Sequence, residues 1–472
     1  MRFKFVPVQV VACLCVGLFT PTMVYSWQHH PLFTRIVVEG LPEIQNASDV
    51  QAELLDQFLI AEEQNIAELL SNVEAWAQAN LTMYAPCPTN LLFTPTGNAD
   101  DIKARLFRAI RINPNTKVPL YTIGFAEKPP EGKTLLNVRD VCILNDTKEF
   151  EIFCFIQLLN GESVSPLEIL TSSSNEPDYG MDTGLFEDNG TEFGAIYGFG
   201  TQAFGNPNLD FGSQAPFHMG FLHENPVIKF FAPFLKQSYV EYRIYLYKEL
   251  SKLAFETGHP YWGWRFMGWG LHYLGDLSMP YHTTALPGYS ALRMIWIYLL
   301  DMLGIPGPTN NAMQLSSNRH LAVESFMGSL YLNAVYKQDD PFLLIEGISN
   351  GTSKALFNIN NTNNNKCWTE NQCVLEEGTI PEYSDDLPRN CLALRSHNWS
   401  KSLDSLISQT LPDTFVNDPT VELGNLEERY DILNLTLAEQ SFEKVQELVD
   451  TANASLFLFS VYGKSYILNI LK

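Results

Sequence analysis

Residues 256–282 read ETGHPYWGWRFMGWGLHYLGDLSMPYH, and this stretch limits the fold more tightly than any other in the chain. Residues 261–275 are predicted to form a helix, which sets His272 and Asp276 one turn apart on the same face. Pro280 ends that helix, so His282 falls just beyond it, where the chain can fold back over the same point in space. Neutral imidazole nitrogen and ionised carboxylate oxygen are natural ligands for a zinc-like ion. A His and an Asp at helical spacing are more often a simple hydrogen-bonded pair, so the weight of a metal reading comes from the rest of the chain.

A second such pair, His320 and Glu324, lies on another helical segment at residues 318–336. Alone it reads as an exposed polar face. Together with His272, Asp276 and His282 it fits the way bundle-core metal sites are built, from side chains on facing helices. The chain carries 53 acidic residues against 30 Lys and Arg, a balance opposite to that of proteins that track phosphate backbones. That argues against a nucleic-acid partner. It does not exclude a metal-dependent enzyme, because bound cations supply positive charge locally.

The first 26 residues have the order of a secretory signal: Arg2 and Lys4, an apolar run at 10–19, and Val24-Tyr25-Ser26 before the cut. A lipoprotein cut before Cys13 competes less well, since the apolar run continues past it. Cleavage after Ser26 makes Trp27 the first mature residue and predicts a secreted, extracellular protein. Six cysteines then remain, Cys87, Cys142, Cys154, Cys367, Cys373 and Cys391, enough for up to three disulfides.

Periodicity predicts a long helical run at 48–79 and a short helix at 100–112. β-Branched and aromatic runs at 119–125, 135–144 and 150–159, with a turn at 145–147, predict a small β insertion. Residues 170–225 carry little periodicity, and a long irregular segment in a helical chain is often functional. It holds Asp178 and Asp182, then His218 and His223. Helical patterning returns at 227–257, 289–303, 398–409 and 423–459. The expected fold is all-α with a small β-containing insertion. The expected organisation is a catalytic domain at 27–337, interrupted by the insertion at about 81–165, and a mainly helical extension at 338–472.

The run GLHYLGDLSMPYH at 270–282 resembles the signature of the bacterial zinc-dependent phospholipases C, whose superfamily includes single-strand-specific zinc nucleases. The likeness extends more loosely to residues 27–30, 177–179 and 320–324, and says little about 86–165 or the last hundred residues. It implies nine ligands around three zinc ions in an all-α domain. Carried onto this sequence, the implied ligands are Trp27, through its free amine and carbonyl oxygen, and His30, with His29 an alternative. They continue with Asp178 in its Pro-Asp-Tyr context, His218 or His223, His272, Asp276, His282, His320 and Glu324. In the family the carboxylate at Asp276 bridges two zincs, and Asp178 is also the candidate general base. The spacing from Asp178 to either His218 or His223 is longer than the family's, so the choice between them stays open. Glu324 stands where the phospholipases have Glu and the nucleases Asp.

The resemblance implies a zinc-dependent phospholipase C that cleaves phosphatidylcholine-like glycerophospholipids to diacylglycerol and a phosphorylated headgroup. Its expected partner is phospholipid at a membrane surface, met transiently by a monomer. The alternative is a zinc nuclease or 3′-nucleotidase, and a non-catalytic protein with structural zinc is a third. Phe211, Phe217, Phe221, Tyr261, Trp262 and Trp264 read either as core or as an apolar mouth for acyl chains.

Overall fold

The computed structural model describes residues 29–337, 339, 341–342, 373 and 380–472. The signal reading at 1–26, Trp27 and Cys367 lie outside the described residues. Twelve helices carry the argument: α1 (His30–Val38), α2 (Glu63–Asn80), α3 (Pro166–Ser173), α4 (Asp210–His218), α5 (Pro226–Phe231) and α6 (Val240–Glu256). They continue with α7 (Pro260–Ser278), α8 (Pro280–Thr283), α9 (Ala291–Met302), α10 (Gly307–Leu332), α11 (Leu394–Thr410) and α12 (Phe442–Ile470). The protein is mostly helical with a small β part, as the sequence predicts.

Helix α7 sits at the centre because all its side chains except Arg265, His272 and Asp276 are apolar, aromatic or small, and every residue after Pro260 is buried. It packs against α6, α3 and α12. Two glycines admit these neighbours. A Cβ at Gly268 would overlap the side chain of Ser173 on α3, and one at Gly270 would overlap the Tyr466 hydroxyl on α12. Helix α7 stops at Met279, and Pro280 opens α8 instead of extending it, so His282 turns back beneath the helix end. Helix α3 begins with a capping box in which Ser165 and Glu168 each accept from the other's backbone N–H.

The β insertion is smaller than predicted. Strands β2 (Tyr121–Phe125), β3 (Leu135–Leu136) and β4 (Phe153–Gln157) form one antiparallel sheet in the order β2-β4-β3, with Tyr121 opposite Gln157 and Leu135 opposite Ile156. The run at 135–144 leaves the ladder after two residues because Asn137 accepts a bond from the Arg139 backbone at 2.8 Å and starts a helical turn, Val138–Val141. A second pair, β1 (Val50–Gln51) with β5 (Ser163–Val164), splits the helical run expected at 48–79. That run becomes β1, a short helix at Leu55–Ala61, and α2.

The hydrophobic core crosses the boundary drawn at 337/338. Leu32 and Phe33 of α1 belong to the same buried cluster as Leu403 of α11 and Phe459 and Ile467 of α12. The C-terminal helices therefore form part of the wall behind the site. Cys373 and Cys391 are disulfide-bonded, whereas Cys87, Cys142 and Cys154 are buried free thiols, so the predicted framework is reduced to one bridge among the described residues. Phe217, Tyr261, Trp262 and Trp264 are core, with Phe211 packed against it.

Candidate metal centre

Six elements bring their imidazoles and carboxylates to one buried point. Helix α1 delivers His30 in its first turn; a 3₁₀ turn at Glu176–Tyr179 delivers Asp178; α4 ends on His218. Helices α7 and α8 supply His272, Asp276 and His282, and α10 supplies His320 and Glu324 one turn apart. All eight are between 0% and 4% exposed. So dense a set of polar groups is costly to bury unless it is paired or holds an ion. The 3₁₀ turn is fixed by α7 itself, since Glu176 accepts from Arg265 at 2.8 and 3.1 Å and from the Trp269 indole at 2.5 Å. One helix thus carries two of the eight groups and anchors the segment that carries another.

The donor atoms fall into three groups: Asp178, His218 and His272; His30, His272 and Asp276; and His282, His320 and Glu324. Around the first, His218 Nδ1 lies 3.0 Å from His272 Nε2, 2.9 Å from Asp276 Oδ2 and 3.8 Å from Asp178 Oδ1. His272 Nε2 is 3.4 Å from Asp276 Oδ2 and 3.6 Å from Asp178 Oδ1. A tetrahedron with metal–ligand bonds of about 2.0 Å has an edge of about 3.3 Å, and these distances bracket it. The other oxygen of Asp276 turns away toward His30 Nε2 at 3.4 Å. In the third group, His320 Nε2 stands 3.1 Å from His282 Nε2 and 2.7 Å from Glu324 Oε1, with His282 and Glu324 3.6 Å apart.

Hydrogen bonds on the far side of the rings set which nitrogen faces inward. His272 Nδ1 meets the Ser174 carbonyl at 2.7 Å and His282 Nδ1 the His218 carbonyl at 3.1 Å, which leaves each Nε2 lone pair for the centre. His218 is turned the other way round. Its Nε2 faces Asp182 Oδ2 at 3.4 Å, and Asp182 is itself held by Arg243 at 2.7 and 3.0 Å and by the Tyr273 hydroxyl at 2.6 Å. Asp276 Oδ1 and Glu324 Oε2 are buried without a hydrogen-bond partner. Orphaned carboxylate oxygens beside inward-facing imidazole nitrogens are what a cation would satisfy. The residues present fit a metal ion.

Electrostatics agree. Burial opposes the charge on Asp276, but His272, His282, His218 and His30 outweigh it and hold the carboxyl well below its usual range. Burial pushes His282 down to about 4 and His272 and His320 well below their ordinary value, so their rings are neutral and ready to ligate. His218 behaves oppositely. Burial would lower it, yet Asp182, Asp276 and Asp178 push it up to about 10. Glu324 is raised well above the carboxylate range by burial, then by Asp276, Asp178 and Glu149.

Both open choices of ligand have a structural answer. His218 joins the cluster; His223 turns away and meets the Arg389 carbonyl at 2.7 Å. His30 joins it; the half-buried ring of His29 packs over Gly328 and against Phe153. Sequence reasoning named Asp182 without giving it a role and passed over its partners Arg243 and Tyr273. The one signal for them was Asp182 itself, four residues after Asp178 in EPDYGMD. Comparisons with family models, curated proteins and solved structures find no match for this chain.

Proposed function

We propose that this protein is a zinc-dependent phospholipase C that holds three zinc ions and hydrolyses phosphatidylcholine-like glycerophospholipids. One observation carries the reading: the two oxygens of Asp276 diverge, Oδ2 to His218 and His272 and Oδ1 to His30, as a carboxylate shared between two ions requires. Asp178, His218, His272 and Asp276 would hold one ion, His30, Asp276 and Trp27 a second, and His282, His320 and Glu324 a third. Zinc there would offset charge on a phosphodiester's oxygens and make water acidic enough to react near neutral pH.

The chain's own residues do the rest. Asp178, steadied by Gln214 Nε2 at 3.4 Å, would take the proton of the attacking water as the P–O bond to the diacylglycerol oxygen breaks. Asp182 would keep His218 oriented through that step. A mainly apolar cavity of about 450 Å³ reaches Tyr281 and His320, and this supports a lipid over a nucleotide. Export before action at a membrane surface belongs to the same proposal.

The test pairs metal analysis with hydrolysis of phosphatidylcholine and of single-stranded DNA. Zinc-loaded protein should cleave the lipid and spare the DNA. His218→Ala should lose activity by ~100-fold or more, as expected for a removed ligand, while His223→Ala keeps it. DNA cleavage without lipid cleavage would move the chain to the nucleases, and bound zinc with no turnover would leave a structural metal protein.

A further inference from the structure

Helix α9, ALRMIWIYLLDM, is apolar on two opposite faces. Met294 and Ile297 line the cavity that ends at Tyr281 and His320. Its other face points to solvent: Leu292 is 81% exposed and Trp296 61%, and beyond the helix end Leu303 is 76% exposed. The spacing 292, 296, 299 and 303 is a continuous helical stripe, and Leu299 is exposed with the rest. Helix α5 packs alongside and adds Phe230, 76% exposed, while its neighbour Phe231 also lines the cavity. The rim of the cavity and the exposed stripe are therefore one apolar surface.

A helix that is apolar all round is ordinarily buried or in lipid. At 12 residues α9 is about 18 Å long, short of the ~30 Å hydrocarbon layer, and no helix among the described residues is long and apolar enough to cross a membrane. Such a helix suits the plane of the interface, where Trp and flanking cations are favoured. The local charge fits. Residues 225–238 and 286–317 carry Lys229, Lys236 and Arg293 against one acid, Asp301, in a chain of net charge −23. Asp301 is buried, so the exposed charge of this rim is basic.

We propose that the α5–α9 rim is a docking surface for a phospholipid membrane, seated in the headgroup layer with the cavity mouth open to the acyl chains. A protein partner would account for the stripe alone; the cavity leading from it to His320 and the basic rim favour lipid. The choice of occupant rests on the phospholipase reading, but docking can be measured without turnover.

The experiment is co-sedimentation of the full chain, with and without zinc, on vesicles of phosphatidylcholine and phosphatidylglycerol. The wild type should bind, and Leu292→Asp/Trp296→Asp should bind at least about tenfold more weakly, because both side chains are exposed and neither touches a ligand. Hydrolysis of a soluble, chain-free phosphocholine diester should stay unchanged in that variant, which also reports that it folds. Equal vesicle binding by wild type and variant overturns the proposal. So does a wild-type dimer that the variant dissolves, with no vesicle binding by either. Vesicle binding that depends on Leu292 and Trp296 in a chain with no lipid turnover would support docking while the phospholipase reading fails.

Discussion

Replacing Asp182 by Asn keeps the side chain's shape and removes its charge. Asp182 is fully buried and accepts from Arg243 Nε at 3.0 Å, Arg243 Nη2 at 2.7 Å and the Tyr273 hydroxyl at 2.6 Å. The other bonds of Arg243 go to the carbonyls of Ile110 and Arg111, so Asp182 is its carboxylate partner among the described residues. The variant leaves a guanidinium buried without countercharge. At an effective dielectric of about 20, a pair 2.7 Å apart attracts by about 6 kcal/mol, an upper bound that desolvation reduces. Losing one partner of a buried pair costs about 3–5 kcal/mol, and that is the expected loss here. The assay is urea unfolding of the metal-stripped chain, whose midpoint should fall by up to about 1 M, since the denaturant slope of so long a chain exceeds the ~3 kcal/mol/M of small domains. Asp182→Asn/Arg243→Met should recover part of the loss, because no unpaired charge remains. A single-variant loss below about 1 kcal/mol, or a double-variant loss equal to the two single losses added, refutes the reasoning.

Two further outcomes follow from the same centre. Asp276→Asn removes the carboxylate that serves both His30 and the His218–His272 pair, so metal analysis should show two ions lost together. Loss of one ion with activity kept would contradict the bridging role. In the metal-free chain His218 keeps its proton up to about pH 10, so a metal must displace that proton, and burial beside Asp276 and Asp178 favours the protonated form of Glu324 as well. Affinity therefore rises with pH below about 10 and falls on acidification. Calorimetry at pH 8 in buffers of different ionisation enthalpy should show about one to two protons released per chain. No release there would contradict the assignment.

What the sequence made legible was what is local. His272, Asp276 and His282 share one helix and its turn, and His320 and Glu324 share another, so spacing alone puts each set on one face. Asp178 and His218 were harder, because they come together only through an irregular segment without periodicity. The choice between His218 and His223 turns on α4 ending at residue 218, and no local pattern announces that end. The β insertion was overread for a related reason. Residues 135–144 have strand composition, yet Asn137 offers a cap that takes the backbone out of the ladder. Propensity describes what a segment can do, and the cap decides between two things it can do.

The C-terminal helices make the same point about domains. A chain can be cut where its motif ends, and the motif here ends near Glu324, so residues 338–472 read as an appendage. Yet the close approach at Gly270 needs Tyr466 on α12, and a Cβ at Gly275 would come within 3.2 Å of the His30 ring and 3.7 Å of Phe459 on α12. The glycines of the motif are therefore explained by residues about two hundred positions away in the chain, on either side. A motif of ligands and glycines records two demands at once. The ligands answer to the ion, and the glycines answer to whichever helices press against them, which no local spacing reveals. Helix α12 packs against both α1 and α7 and is thus part of what holds His30 against Asp276, so the C-terminal helices share the core that supports the candidate metal centre.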